Sequence, residues 1–170
     1  RKAAEGVEVR AIFDGFGNSS NNQPMRKSDI RLIRSKGVEI YEFKPLAFPW
    51  IHDFFNRDHR KIVVIDGKVA YTGGMNVADY YITGTEDVGE WHDMHCRIEG
   101  DEVNTLQTIF LKMWNKVSGQ NVHGAQYYRG ITNADYITGL KPDLCESAGN
   151  KMVGIVNREP HTSNKIIREF

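Results

Sequence analysis

The sequence is short of several things, and each shortage narrows what it can be. No apolar run approaches the roughly 18 residues that a helix needs to cross a bilayer, and no signal peptide opens the chain. Neither sign of charge is in excess: Lys plus Arg and Asp plus Glu stand at 22 each. The totals therefore do not support a strongly basic nucleic-acid surface, although a local patch is compatible with them. Cysteine is scarce, with only Cys96 and Cys145, far apart and without metal spacing. Reduced, packed thiols are expected rather than a disulfide. No His-Glu-x-x-His occurs, and His52 with His59 fits no standard zinc pattern, so no metal is expected. The rest is ordinary: 40% hydrophobic and 26% charged residues, in one domain's length of chain able to bury a core.

What the sequence does have is concentrated in residues 59–76. His59 and Lys61 sit two apart at the start of the apolar run Ile62–Ile65. A strand repeats every two residues, so both side chains are expected on one face of a sheet. Asp66-Gly67 follows, a strong hairpin signal between apolar runs. The return strand, residues 68–72, ends in Gly73-Gly74, and Asn76 stands where a helix is expected to begin. The hairpin should thus carry Asn76 back toward His59 and Lys61. An imidazole, an ammonium and a carboxamide beside a glycine-rich helix start would suit a phosphate.

The flanking chain reads as strands alternating with helices. Residues 1–6 resemble the last turn of a helix with a glycine stop. Residues 7–13 alternate like a strand with one buried face, ended by Asp14-Gly15. Asn18 to Pro24 form a polar loop, Ser28 can cap a helix through Ser35 stopped by Gly37, and Val38–Phe43 is a second strand. That rhythm predicts an α/β fold, a mixed β-sheet flanked by helices and parallel in part, with a strand missing before residue 1.

Residues 45–56 hold Phe48, Trp50, Phe54 and Phe55. They could form a lipid-facing lip; the plainer reading, that they cover the sheet edge, is preferred. Asn76 to Tyr81 is expected to be helical and Trp91 to Ile98 a strand. On that strand His92 and His95 would face opposite ways and could not share a metal. Residues 102–114 place Val103, Leu106, Ile109, Phe110, Met113 and Trp114 at helical spacing, a core stripe. Residues 115–138 carry Tyr127 and Tyr128 without a clear assignment. A strand is expected at residues 151–156 and an amphipathic helix from Ser163 to Phe170.

His59, Lys61, Asp66, Gly73, Gly74 and Asn76 match, position for position, the pattern His-x-Lys-x4-Asp with Gly-Gly/Ser-x-Asn. This resembles the phospholipase D superfamily. The second glycine is a serine in many of its members. Trp91-His92-Asp93, followed by an apolar strand, Gly100 and a helix to Trp114, is similar to its bacterial cardiolipin synthase branch. The resemblance covers most of residues 1–115 and the last stretch of the chain. It implies a phospholipase D-like fold whose active site is built from two motif copies, the second histidine acting as general acid. Only one copy is present here, since His123 and His161 lack the partner lysine. Residues 1–150 are therefore expected to be a first repeat lacking its N-terminal strand, and residues 151–170 the start of a second. The chain would be a fragment of a two-motif enzyme, or would pair with itself.

Phosphodiester chemistry without a metal needs a nucleophile, fixed positive charge at the phosphoryl oxygens and an acid for the leaving alcohol. On the resemblance, His59 is the nucleophile, forming a phosphohistidine, Lys61 is a point charge on a non-bridging oxygen, and Asn76 donates a second hydrogen bond. Asp66 stands with His59 and Lys61 in the catalytic motif, although its place in the turn argues for architecture. A nucleophilic histidine must be oriented through its other nitrogen, and Asp93 is the candidate. No cofactor is implied. The expected activity is transfer of a phosphatidyl group between phosphatidylglycerol molecules to make cardiolipin. That implies a bacterial cytoplasmic membrane as the site of action, with membrane association through regions outside this soluble stretch. The expected partners are phosphatidylglycerol and a second motif half; nucleic acid is disfavoured. A phospholipase D or nuclease-type phosphodiesterase, and a non-catalytic phosphate-binding half, remain the alternatives.

Overall fold

The computed structural model describes residues 1–19, 24–44, 57–86, 89–138 and 155. The aromatic stretch at 45–56, Cys145, and the strand and helix expected at 151–156 and 163–170 lie outside the described residues, Ile155 apart. The fold is α/β, with five strands in two sheets and helices around them among the described residues. The chain divides into two compact units, Arg1–His59 with Trp114–Gln120, and Arg60–Met113 with Asn121–Phe170.

In the first unit a short 3₁₀ turn, Ala3–Glu5, closes on Gly6, whose φ of 91° lies in the left-handed region that glycine enters without strain. Strand β1 (Val9–Asp14) pairs in parallel with β2 (Val38–Phe43), from Val9 opposite Val38 to Asp14 opposite Phe43. A parallel pair needs a crossover, and α1 (Gly15–Ser19) and α2 (Lys27–Ser35) supply it. Helix α2 starts one residue before Ser28. Its cap is instead the Asp29 carboxylate, which accepts the Arg26 N–H at 2.7 Å. The core gathers on Trp114, fully buried, with Tyr41 edge-on at 5.2 Å and the Arg10 guanidinium 5.6 Å from its ring centre. The indole N–H is satisfied by Gln120 Oε1 at 2.9 Å, as a buried Trp requires.

In the second unit β3 (Ile62–Ile65), β4 (Val69–Gly73) and β5 (His95–Glu99) form an antiparallel sheet in that order. Ile62, Val64, Ala70 and Ile98 turn to one side and pack with Val103, Leu106 and Ile109 of α4 (Glu102–Ser118). Alternation on the strands meets helical spacing on α4, which is why both periodicities were legible. Ile98, Val103 and Leu106, the buried aliphatic side chains among them, contribute about 1.5–3 kcal/mol each. The last turn of α4, from Trp114, belongs to the first unit.

The hairpin closes as a tight turn. Lys68 N–H donates to Ile65 O at 3.0 Å, and Asp66 and Gly67 both take positive φ, 52° and 62°. That is the combination a type I′ turn demands.

Three local expectations need correction. Strand β3 begins at Ile62, so His59 and Lys61 precede it on a stretch without regular structure, and strand alternation does not orient them. No helix begins at Asn76: α3 is the single turn Tyr80–Thr83, because Gly73-Gly74 and Asn76 favour loop over helix. Strand β5 starts at His95 rather than Trp91, and Cys96 on this edge strand is exposed rather than packed, since only Ile98 of β5 reaches the core.

Candidate active site

The described structure positions the motif through the ends of strands. In the first unit Asp14, at the C-terminal end of β1, is the organising group. Its Oδ1 accepts the N–H groups of Phe16 and Gly17 at 2.9 and 3.0 Å, and its Oδ2 accepts the Asp58 N–H at 3.2 Å. Arg57 stands 4.0 Å from the same carboxylate, donates to Lys44 O at 2.8 Å and lies 5.5 Å from the Phe16 ring centre. Both side chains are only 15% exposed, so the anchor is sheltered from solvent screening. The residue that follows Asp58 is His59, which is exposed.

In the second unit Lys61 is half-buried just ahead of β3, and Asp66 sits exposed in the turn at the other end of that strand. Strand β4 returns to Gly73, opposite His95. The next step of the ladder is a hydrogen bond from Gly74 N–H to Met94 O at 2.9 Å. This draws two backbones close enough that Gly73 must be a glycine, while Gly74 leaves room for the Asp93 side chain. A Cβ on Gly73 would lie 2.7 Å from His95 Cα, and one on Gly74 2.7 Å from both Cγ and Oδ2 of Asp93. Asp93 Oδ1 meanwhile accepts the Met94 N–H at 2.7 Å. Asp93 is thus held against the glycine pair, two residues from Asn76.

Asn76 is exposed, and its carboxamide Nδ2 donates to the Tyr81 hydroxyl at 2.9 Å. Tyr81 belongs to a three-ring cluster with Tyr80, centroids 4.6 Å apart, and Trp91, 5.5 Å away; Tyr80 and Trp91 are 5.4 Å apart. Desolvation, then the neighbouring Tyr81 hydroxyl, hold the Tyr80 phenol above its ordinary pKa, while Asn76 pulls it the other way. Val77, Ile82 and Met94 are strongly exposed nearby in sequence. Among the described residues no three His, Cys, Asp or Glu side chains gather as a metal site.

The structure therefore brings Asp93 to Gly74 and Tyr81 to Asn76, and places Asp66 at the far end of β3 from Lys61. Sequence reading missed Asp14, taken only as the end of a strand, and Tyr80 and Tyr81. Asp14 meets Asp58 across 44 positions, which no local pattern signals. Tyr80 and Tyr81, four and five residues after Asn76, are helical as expected, but helical spacing alone does not signal a bond from the Asn76 carboxamide to a phenol.

Residues 1–114 match the family described as "Cardiolipin synthase, PLD-like domain". The chain belongs to this family. Cardiolipin synthase 2 of Staphylococcus epidermidis is 44% identical over 140 residues, 81% of this chain and 28% of the relative. Cardiolipin synthase 1 of Bacillus cereus is 35% identical over 170 residues, 99% of this chain and 31% of the relative. A probable cardiolipin synthase of Bacillus subtilis is 41% identical over 152 residues, 86% and 30% of the two chains. The chain thus spans less than a third of the length of these cardiolipin synthases. Membership agrees with the α/β, phospholipase D-like fold expected from the motif, and with the cardiolipin synthase branch. No helix among the described residues is long and apolar enough to cross a membrane.

Proposed function

We propose that this chain contributes the first phosphoryl-transfer motif of a cardiolipin synthase-like phosphatidyltransferase. The observation that carries the reading is the six-position motif of His59, Lys61, Asp66, Gly73, Gly74 and Asn76, lying within the residues that match the cardiolipin synthase family.

The proposed reaction proceeds in two displacements. A ring nitrogen of His59 attacks the phosphorus of phosphatidylglycerol. The bond from phosphorus to the headgroup glycerol breaks, and a phosphohistidine forms. The departing glycerol oxygen takes its proton from an acid outside this motif, the histidine of a second motif copy. That same group then accepts the proton of a hydroxyl on a second phosphatidylglycerol, whose oxygen attacks the phosphohistidine. The N–P bond breaks and cardiolipin is released.

Lys61 and Asn76 stabilise charge on the non-bridging oxygens, which matters most as that charge develops in the transition state. Asp93 orients His59 through its second nitrogen, fixing which tautomer presents a lone pair. Support for giving Asp93 this fixed role is its confinement against Gly74 and its bond to Met94 N–H. Asp66, in the left-handed position of the turn, holds the hairpin. The second motif would come from another part of a longer chain or from a second subunit, and contact with the membrane would come from regions outside the described residues.

The test is product analysis of the whole protein on phosphatidylglycerol vesicles without added metal. Cardiolipin with one glycerol released per turnover is expected. Phosphatidate and glycerol alone would replace transfer by hydrolysis, and metal-independent DNA cleavage without lipid turnover would replace it by a nuclease. The 170 residues alone are expected to give negligible transfer, because the leaving-group acid is absent.

A further inference from the structure

We propose that Tyr81 is a positioning residue for Asn76, its phenol oxygen accepting one carboxamide N–H so that the other is aimed at the phosphoryl oxygen. This rests on the reading of Asn76 as a phosphate-holding donor.

The problem that Tyr81 solves is one of symmetry. A carboxamide presents a donor NH₂ on one side and an acceptor oxygen on the other, nearly equal in shape. Only the NH₂ side can hold an anionic oxygen. Asn76 is exposed and lies on a loop, in front of α3 rather than within it, so no helix geometry selects the orientation. A hydrogen bond from Nδ2 to Tyr81 Oη at 2.9 Å does select it. Because the NH₂ group has two hydrogens, one bond to Tyr81 leaves a second donor in a defined direction.

An anchor must itself be fixed. The Tyr81 ring is packed on Tyr80 at 4.6 Å and meets Trp91 at 5.5 Å with an interplanar angle of 67°. Tyr80 meets the same indole at 5.4 Å and 66°, closing a three-ring cluster. Trp91 lies two residues before Asp93, which in turn rests against Gly74. The aromatic cluster therefore ties the two segments that carry Asn76 and Asp93 to one framework.

A double-mutant cycle in the whole protein, followed by cardiolipin formation, tests this. Asn76→Ala is expected to lower kcat/KM about a hundredfold, the scale for losing one transition-state donor. Tyr81→Phe keeps the ring and removes only the hydroxyl, and should lower kcat/KM roughly tenfold while leaving the thermal midpoint in place. In the Asn76→Ala background Tyr81→Phe should have no further effect, the non-additivity expected of groups acting as a unit. The same loss in both backgrounds, or none in either, overturns the proposal. Full activity in Asn76→Ala would instead remove the phosphate-donor reading beneath it.

A measurement on the unsubstituted, asparagine-labelled protein guards against a variant that fails to fold. The two Asn76 side-chain amide protons should exchange with water at different rates, the Tyr81-bonded one more slowly. Equal exchange overturns the proposal.

Discussion

The Asp93 carboxylate occupies the space that a side chain on Gly74 would need, with Cγ and Oδ2 each 2.7 Å from where a Cβ would stand. The two residues sit on neighbouring backbones joined by the bond from Gly74 N–H to Met94 O. Glycine at this position is therefore a condition for the carboxylate to lie where it does. Asp93 is exposed, so an enlarged residue 74 can push it aside at little expense in stability. Gly74→Ala should leave the unfolding midpoint nearly unchanged yet lower turnover by about a hundredfold, the scale of a 1 Å misplacement of a positioning group. Steady-state assay beside a thermal melt checks this, and turnover equal to the parent would show that Asp93 does not orient His59.

Asp66 and Gly67 divide the turn differently. Asparagine accepts the left-handed backbone nearly as well as aspartate, so Asp66→Asn should retain activity and stability. Gly67→Ala meets both a φ of 62° and the Tyr127 carbonyl oxygen, 2.6 Å from the new Cβ. A loss of about 1–3 kcal/mol is expected in chemical denaturation, from overpacking against backbone that cannot yield. Loss of turnover in Asp66→Asn with the hairpin intact would move Asp66 from architecture to chemistry.

Asp14 carries a heavier role. It gathers the backbone N–H groups of Phe16, Gly17 and Asp58 and faces Arg57, and Arg57 and Asp58 immediately precede His59 in the chain. Removing a mostly buried carboxylate leaves those donors unsatisfied, so Asp14→Ala should destabilise by about 2–3 kcal/mol. Asp14→Asn keeps an acceptor oxygen and should recover part of that. Denaturant titration of both variants orders them; equal stability of Asp14→Ala and the parent would mean that the anchor contributes nothing.

Acid should loosen the start of the last described helix, α5 (Asn133–Thr138). Thr132 donates its hydroxyl and its N–H to Asp135 Oδ2 at 2.5 and 3.0 Å, while Asp135 N–H returns to Thr132 Oγ1 at 3.2 Å. The Thr132 hydroxyl, then its backbone N–H, hold the carboxyl below its ordinary value of 3.8. A depressed carboxylate stabilises the fold above the unfolded value and stops doing so as pH falls through the folded one. Amide shifts of Thr132 and Asp135 should therefore be flat at neutral pH and move together below pH 3.8. In Asp135→Asn that acid transition should vanish; its persistence would assign it elsewhere.

The legible parts of the chain were those in which a short-range pattern has one outcome. Alternation at residues 62–65, the Asp66-Gly67 turn and the apolar stripe of α4 each place side chains without reference to distant residues. The motif spacing of His59, Lys61, Asp66, Gly73, Gly74 and Asn76 likewise points to the family by itself. What failed was continuity across element ends. Period two does not reach back through residues 57–61, and a glycine pair before Asn76 delays the helix to Tyr80. What was invisible was long-range pairing: Asp14 with Asp58, and Gly74 with Asp93. Such pairs exist only once the strands have chosen their register.

The account stands most directly on His59. In the whole protein His59→Ala should abolish conversion of phosphatidylglycerol to cardiolipin, by about ten-thousandfold or more, while sedimentation with phosphatidylglycerol vesicles stays as in the parent. Cardiolipin formation at the parental rate in His59→Ala would contradict the proposed nucleophile, and with it the phosphohistidine route.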